Sequence, residues 1–308
     1  MHIFVTGGLG YIGSVLVPKL LNEPLIDGVT VFDISWFGNY LNPHPKLKVV
    51  KGDIRENVSL SGFDVVIHLA AVANDPAGDL NPKLTWEINA LSTMRLADQA
   101  ARDGVQQFIY ASSGSVYGIS DAPEVTEELP LVPLTEYNKT KMVAERCVLS
   151  YVPRMGVTIF RPATVCGVSP RMRLDTMVNS FTMQALDRRV IKMKGGHQYR
   201  PNIHIEDMAD IYVWALLNPK ATGIFNCGFE NLTILRIAQM VSERTKAPFI
   251  SLESNDPRSY RINSDKLLHA GFKPRKKVED AIKEIIEKYQ FGQLKDEPQW
   301  HTLSFMPT

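Results

Sequence analysis

The chain has 308 residues, of which 44% are hydrophobic and 22% charged, and its formal net charge is +1. These values are typical of a globular protein and exclude a disordered or fibrous one, and the interspersed charges predict no nucleic-acid partner. The three cysteines, Cys147, Cys166 and Cys227, lack the spacing of a metal site or a disulfide framework, so we expect a reducing cytoplasm and no bound metal. No basic leader precedes the first predicted strand, and no apolar run approaches the roughly 20 residues of a membrane span, so no membrane association is expected.

The first predicted elements are a strand at residues 2–6, a glycine-rich turn and a helix. If the turn binds a dinucleotide, Gly7 allows the tight bend, Gly10 lets the backbone approach a pyrophosphate, and Gly13 lets the helix pack closely on the strand. The free N–H groups at the helix N-terminus would then face the anion. The residues of this turn that we expect at the cofactor are Gly7, Gly10, Tyr11, Ile12 and Gly13.

The second predicted strand, residues 29–32, ends in Asp33, about twenty residues beyond the glycines. A carboxylate at this place can accept hydrogen bonds from an adenosine ribose, and it would repel a 2′-phosphate, so NAD is favoured over NADP. The alternative is a glycine turn followed by an aspartate that caps a helix.

Two further strands are predicted at residues 47–50 and 64–71. Asp53 and Ile54 follow the first of them, where they could contact an adenine edge and its face, although a surface-loop aspartate is the alternative. The second is a continuous apolar run, which indicates burial on both faces and makes His68 a core histidine rather than a ligand. Small residues at its end leave room for a cofactor beside Leu69, Ala70 and Ala71.

A helix at residues 81–102 and a strand at 107–111 continue the alternation, which predicts an α/β fold with a doubly wound parallel (Rossmann) sheet. Tyr137 and Lys141 are four residues apart on the next predicted helix and therefore share a face. The neighbouring ammonium, together with the positive charge of an oxidised nicotinamide, would lower the pKa of the phenol and make it a base, and Ser113 could complete a proton path. The alternative is a surface tyrosine beside a lysine that extends into solvent.

Beyond a sixth strand at residues 156–162 the alternation weakens. We expect a dinucleotide-binding domain with the catalytic residues at 1–168, and at 169–308 a smaller, mixed α/β, mainly substrate-binding domain from which some strands and helices return to the first. Later elements are predicted as helices at 175–187, 207–217, 234–245 and 278–289 and a strand at 223–226. Three loop arginines could hold a nucleotide diphosphate or simply be solvated, namely Arg173, Arg200 and Arg258. No structure is predicted for residues 293–308.

From residue 1 to about 290 the chain resembles the extended short-chain dehydrogenase/reductase family, in particular its NAD-dependent nucleotide-sugar epimerases and dehydratases. The matching motifs are the glycine turn at 6–13, GDxR at 52–55, HLAA at 68–71, SSxxVYG at 112–118, YxxxK at 137–141 and a stretch similar to RDFIHVDD at 200–207. The resemblance implies NAD as cofactor and Tyr137, Lys141 and Ser113 as catalytic residues. It places substrate contacts at Ser113, Ser115, Thr164, Arg173, Asn179, Arg200 and Arg258.

The chain also departs from the family pattern. Members that eliminate water across sugar C5 and C6 usually carry Thr-Asp-Glu where this chain has Ser-Gly-Ser at 113–115, which disfavours a 4,6-dehydratase. Thr164 and Cys166 replace an asparagine and a tyrosine of many members, so the resemblance does not identify the sugar of the substrate. The runs 169–175 and 178–182 resemble a subgroup associated with bacterial surface polysaccharides that includes nucleotide-heptose C4 dehydrogenases.

We therefore expect an NAD-dependent nucleotide-sugar epimerase that acts by transient oxidation at sugar C4. A nucleotide-sugar C4 dehydrogenase or a 4-keto reductase is the alternative. A non-catalytic dinucleotide sensor is a more remote one, because fold does not determine function. Apolar stripes on the helices at 82–102 and 137–151 suggest a helix-paired homodimer.

Overall fold

Seven parallel strands form the central sheet of the computed structural model, which describes residues 1–120, 122–254 and 259–304. In chain order the strands are β1 (His2–Thr6), β2 (Gly28–Asp33), β3 (Leu47–Lys51), β4 (Val65–His68), β5 (Gln107–Ala111), β6 (Gly156–Pro162) and β10 (Gly223–Cys227). Their order across the sheet is β3-β2-β1-β4-β5-β6-β10, and every pair is parallel. This confirms the predicted doubly wound α/β fold.

Helices cover both faces of this sheet. They are α1 (Gly13–Asn22), α2 (Asp75–Leu80), α3 (Pro82–Trp86), α4 (Ser92–Arg102), α5 (Glu136–Leu149) and α7 (Ile205–Leu217). Helices α1 and α7 pack together in one core cluster, whereas α3, α4 and α5 contribute to a second cluster with other strand residues. The predicted helix at 81–102 is confirmed as α3 and α4 joined by a π-helical turn at Glu87–Leu91. Asn81 caps its N-terminus, because the Asn81 side chain accepts a hydrogen bond from Leu84 N at 3.0 Å.

A smaller layer lies beyond β6. It contains the three-stranded sheet β11-β9-β7 and the two-stranded sheet β12-β8. Its strands are β7 (Thr164–Cys166), β8 (Ile191–Lys194), β9 (Tyr199–His204), β11 (Glu230–Thr233) and β12 (Phe249–Leu252), and its helices are α6 (Met177–Met183), α8 (Ile234–Thr245) and α10 (Val278–Gln290). Helix α9 (Asp265–His269) packs instead on β10 of the large sheet. Helices α6, α8 and α10 share a third core cluster. Because β10 and α7 join the large layer, both layers contain chain from beyond residue 168, and the division into two domains there stays a prediction.

Buried polar groups fix the helices to the sheet beneath the candidate site. His68 is 1% exposed and hydrogen-bonds Thr6 Oγ1 at 2.6 Å and Thr93 Oγ1 at 2.8 Å, which confirms a core histidine. Glu145 of α5 and Arg161 of β6 form a buried ion pair, with Nη2 and Oε2 2.7 Å apart. Since removing either partner would leave an uncompensated buried charge, this pair ties α5 firmly to the sheet.

Some features of the fold bear on binding to a membrane, to a metal ion or to a second copy of the chain. Among the residues that the structure describes, no helix is both long and apolar enough to cross a membrane, and no group of three or more His, Cys, Asp or Glu side chains could hold a metal ion. Leu91 and Met94, on the π-helical turn and α4, are 50% and 39% exposed. The helix-paired homodimer stays a prediction.

Candidate active site

One cavity of about 840 Å³ opens at the carboxyl ends of the central strands, between the two layers. Ligands of open parallel sheets bind at this edge, so the location matches the expected cofactor crevice. The predicted site residues that line it are Gly7, Gly10, Tyr11, Ile12, Gly13, Asp33, Asp53, Ile54, Leu69, Ala70, Ala71, Ser113, Ser115, Tyr137, Lys141, Thr164, Arg173 and Arg200. Asn179 does not line the cavity, and Arg258 lies outside the described residues.

The glycine turn leaves no room for side chains. Gly7 has a φ of +70°, and a Cβ there would lie 2.5 Å from Ala70 N. A Cβ at Gly13 would lie 2.5 Å from Gly8 Cα, so α1 can begin against the turn only because residue 13 is a glycine. At Gly10 a Cβ would meet only Gly7 O, at 3.2 Å. The result is a backbone cradle beside the N-terminus of α1, which fits the diphosphate of a dinucleotide.

Asp33 ends β2 at the wall of the cavity. Its carboxylate accepts hydrogen bonds from Leu9 N at 3.0 Å and Ser35 N at 2.8 Å. Burial raises the pKa of this carboxyl, and these two N–H groups counteract the rise. No helix lies between β2 and β3, so the helix-capping alternative is wrong. The carboxylate is thus held at the place where a ribose diol would bind, although that contact stays a prediction.

Asp53 and Ile54 follow β3 at the same end of the cavity. Asp53 Oδ2 lies 2.7 Å from Arg55 Nη2, and Arg55 Nη1 lies 3.1 Å from Glu87 Oε2. Arg55 lowers the pKa of the Asp53 carboxyl. Both residues therefore lie where an adenine could contact them, and Asp53 is already part of an ion-pair chain.

Lys141 is a buried residue of α5 that lines the cavity. Its Nζ donates to Ala111 O at 2.7 Å and lies 4.9 Å from the ring centroid of Tyr110 and 6.0 Å from that of Tyr137. Burial lowers the pKa of Lys141 to about 7, and the Glu145 carboxylate opposes this change. The ammonium is therefore near its titration point at neutral pH before any cofactor is bound.

Tyr137 lies in the cavity wall, which it shares with Ser113. Burial raises its pKa to about 12, whereas the nearby Ser113 hydroxyl and the charge of Arg173 lower it and Asp75 raises it. The expectation that Lys141 lowers this pKa is therefore not met in the structure. The physical reason is that burial of the phenol outweighs every nearby positive group, and the ammonium is committed to the Ala111 carbonyl.

The serines that follow β5 form a short hydroxyl chain. Ser113 Oγ and Ser115 Oγ are 2.7 Å apart, and Ser115 Oγ donates to Asn138 Oδ1 of α5. The 113–115 segment thus presents two hydroxyl groups and one glycine to the cavity region, with no carboxylate among them.

The predicted substrate residues differ in their surroundings. Arg173 Nε and Nη2 lie 2.9 and 3.1 Å from the Asp175 carboxylate oxygens, so its charge is balanced within the chain. Arg200 Nη1 donates to Tyr199 O at 3.1 Å. The buried Asn179 amide donates to Tyr11 Oη at 3.0 Å and to Arg173 O at 2.8 Å, so in this structure it supports the loop rather than the cavity surface. The substrate contacts of these residues stay predictions.

Helix α2 was not predicted, yet it forms the wall next to Tyr137. Asn74, with a φ of +87°, caps it by accepting a hydrogen bond from Ala77 N at 2.9 Å, and its Nδ2 donates to Asp175 Oδ2 at 2.9 Å. Gly78 allows the close approach, because a Cβ there would lie 2.9 Å from Tyr137 Cβ. The run Asn-Asp-Pro at 74–76, an N-cap residue with a proline in the first turn, is the signal that could have found this helix.

A parallel sheet with a glycine cradle after β1, an acid after β2 and a Tyr/Lys pair beside one cavity defines an extended short-chain dehydrogenase/reductase. More narrowly, the chain belongs to the NAD dependent epimerase/dehydratase family, whose model matches residues 3–228. NAD is the cofactor of this family, and the cradle and Asp33 described above fit it. The family comprises enzymes acting on nucleotide sugars, as the resemblance implied.

Individual relatives carry out different reactions. The chain is 28% identical over 292 residues to a UDP-glucose 4-epimerase of Corynebacterium glutamicum, covering 86% of this chain and 88% of that one. It is 26% identical over 312 residues to a dTDP-glucose 4,6-dehydratase of Streptomyces niveus, covering 94% and 93%. The fold is also that of Thermus thermophilus UDP-glucose 4-epimerase in complex with NAD, with a TM-score of 0.83, 22% identity, and 94% and 99% of the two chains covered. The family membership is thus clear, and the particular reaction is a separate question.

Proposed function

We propose that this chain is a nucleotide-sugar 4-epimerase that oxidises sugar C4 transiently and reduces it again on the other face. The observation that carries the proposal is that Tyr137 and Ser113 line the same cavity wall, with the Ser113 hydroxyl near enough to the phenol to lower its pKa. A phenol and a hydroxyl at one point can accept a proton from a sugar hydroxyl and later return it. Bound NAD would supply the hydride acceptor and donor for the sugar carbon.

Each residue of this pair has a defined task in the proposal. Tyr137 Oη takes the proton of the C4 hydroxyl in the oxidation and gives it back in the reduction. Ser113 donates a hydrogen bond to the reacting oxygen. Lys141, below them, contributes positive charge near the phenolate, although it does not suffice to form the phenolate by itself. The positive charge of an oxidised nicotinamide would provide the remaining stabilisation.

The residues at 113–115 favour epimerisation over dehydration. Elimination of water across C5 and C6 needs an acid and a base at the sugar, and serine hydroxyls titrate too far from neutrality for either task. Of the carboxylates that line the cavity near Tyr137, Asp175 is in the ion pair with Arg173, and Asp75 accepts a hydrogen bond from Thr135 Oγ1 at 2.7 Å. A nucleotide-sugar dehydrogenase or 4-keto reductase is the alternative, because it would need the same Tyr137 and Ser113.

The proposal is tested by incubating the purified protein with a panel of nucleotide hexoses and resolving the products by NMR. We expect one substrate to be converted to its 4-epimer with no accumulation of absorbance at the wavelength of reduced NAD. Accumulation of reduced NAD in proportion to product would identify a dehydrogenase, and a 4-keto-6-deoxy product would identify a dehydratase. A panel with no turnover would favour the sensor alternative.

A further inference from the structure

Arg171 is a buried cation at the wall of the cavity that the sequence motifs do not single out. It lies in the segment after β7 and is 2% exposed, yet it lines the cavity. Its backbone N–H donates to Ser14 Oγ of α1 at 3.3 Å, which places it at the first turn of the helix whose N-terminus adjoins the glycine cradle. The guanidinium stacks on Phe37, with Cζ 3.8 Å from the ring centroid.

The charge of Arg171 is not balanced by an ion pair. Across residues 1–120, 122–254 and 259–304, no carboxylate lies within ion-pair distance of it, whereas Arg161 and Arg173 are paired with Glu145 and Asp175. Its Nε has no hydrogen-bond partner in this part of the chain, and its Nη2 makes one long contact to Thr302 Oγ1 at 3.4 Å. A buried guanidinium without a counter-ion is costly, and a bound anion would remove that cost.

The position of Arg171 narrows the identity of this anion. Arg171 acts electrostatically on Asp33, whose pKa its charge lowers, so it lies near the carboxylate expected at the adenosine ribose. The backbone of Arg171 contacts Ser14 in the first turn of α1, where the backbone N–H groups favour phosphate. The diphosphate of a dinucleotide lies between these two subsites in a Rossmann crevice. A 2′-phosphate is less favoured, because the Asp33 carboxylate would repel it.

We propose that Arg171 binds the diphosphate of the NAD cofactor, as a charged side-chain complement to the glycine cradle and the N-terminus of α1. The guanidinium is positioned by its stack on Phe37 and by Thr302, which is 4% exposed and follows the short 3-10 helix Pro298–Trp300. Trp300 O accepts a hydrogen bond from Leu174 N at 2.9 Å, which fixes that segment to the Arg171 loop. This inference concerns the cofactor alone and does not depend on the reaction catalysed.

The test compares ligands with and without phosphate groups. NAD and ADP are titrated by calorimetry, and adenosine by NMR, into the wild type, Arg171→Gln, Arg171→Lys and the control Arg102→Gln. Arg102 is an exposed arginine of α4 outside the cavity, so its variant loses the same charge elsewhere. Because a charge-assisted hydrogen bond contributes about 1.5–3 kcal/mol, Arg171→Gln should weaken NAD and ADP by about 10- to 100-fold and leave adenosine within about twofold. Arg171→Lys should lose less, and Arg102→Gln nothing.

Three results would overturn the proposal. Equal weakening of adenosine and ADP would make Arg171 a structural support of the adenosine site. Unchanged NAD and ADP binding in Arg171→Gln would show that the diphosphate does not need it. Weakening confined to NADP and 2′-AMP, added as further ligands, would assign the arginine to a 2′-phosphate. Circular dichroism and retained adenosine binding establish that each variant is folded. A loss of NAD binding can then be assigned to the missing guanidinium and not to unfolding.

Discussion

Tyr137 is the residue on which the proposed chemistry depends. Tyr137→Phe keeps the ring but removes the hydroxyl that would move the sugar proton, so kcat should fall by at least about 100-fold while substrate affinity changes little. Steady-state kinetics and direct binding of the nucleotide sugar check this split. Tyr151→Phe, at the end of α5 and away from the cavity, removes a hydroxyl that contacts Asp98 and is the matched control. Near-normal turnover in Tyr137→Phe would require a different base.

The burial of Lys141 should make the free energy of unfolding depend on pH, because burial lowers the pKa of its ammonium group. Its pKa is about 7 in the folded protein and 10.5 when unperturbed, so between these values the unfolded chain binds more protons. The free energy of unfolding should therefore rise with pH over this window, by up to about 1.4 kcal/mol per pH unit from this group. Below pH 7 the penalty is fully present, and above pH 10.5 it is gone.

Urea denaturation without added nucleotide at pH 7, 8 and 9 measures this effect. Lys141→Met lacks the titration, so any stability it gains over the wild type should shrink as the pH rises. Lys139→Met, on the same helix but 43% exposed in its side chain, should show an offset that does not change with pH. A pH-independent difference for Lys141→Met would mean that the ammonium is not desolvated as the structure indicates.

Arg200 is the described arginine for which the family resemblance implies a contact with the substrate diphosphate. Arg200→Ala should weaken nucleotide-sugar binding by about 1.5–3 kcal/mol without altering NAD affinity. Calorimetry with each ligand separates the two effects, and Arg236→Ala, which removes an arginine of an exposed ion pair on α8, serves as control. Unchanged nucleotide-sugar binding would mean that Arg200 does not hold the diphosphate, which is the alternative of a solvated arginine.

At the scale of elements, the approach of α2 to α5 positions Tyr137. A Cβ at Gly78 would lie 2.9 Å from Tyr137 Cβ, so Gly78→Ala must displace one helix from the other. We expect kcat to fall roughly tenfold or more, since small misplacements of a reacting group are costly, while the better helix propensity of alanine offsets part of the stability loss. Kinetics and thermal unfolding are compared with Gly196→Ala, where the nearest atom to the added Cβ is 3.9 Å away. Equal kcat values in the two variants would contradict this role of α2.

Elements with strong local signals were predictable. Strands β5 and β6 and helix α8 have the predicted bounds, because apolar runs and capping residues such as Thr233 define them locally. A mixed α/β layer was predicted there, but the strands of its small sheets were not located, because strands as short as β7, at three residues, are stabilised by partners far along the chain. Of the tail, where no structure was predicted, residues 302 and 303 line the cavity, a contact that no local pattern encodes.

Individual site residues could likewise be predicted only where a local sequence pattern defines them. The glycine cradle could be predicted because its spacing reports backbone geometry directly. The raised pKa of Tyr137 could not be predicted, since burial in the fold causes it. Nor could the hydrogen bond that commits the Lys141 ammonium to the Ala111 carbonyl. Similarly, Arg173 was selected and Arg171 was not, although only the fold reveals that Asp175 pairs with the former.

At the scale of the whole molecule, two layers meet at a cavity to which the larger layer contributes the glycine cradle and the smaller layer contributes Arg200. A nucleotide sugar that reaches Tyr137 therefore lies with its diphosphate toward the smaller layer, and its C4 beside the cofactor end, in the proposed function. The reaction is then decided by the fate of the hydrogen on C4, since this is the atom that leaves and returns.

The most direct test follows this hydrogen in a nucleotide sugar labelled with deuterium at C4, with the product examined by NMR. The account predicts a 4-epimer that retains deuterium at C4, without exchange with solvent, because hydrogen transferred as hydride between carbon atoms does not exchange with water. Label found at C6 of a 6-deoxy product, or accumulated in reduced cofactor with a 4-keto sugar, would contradict it.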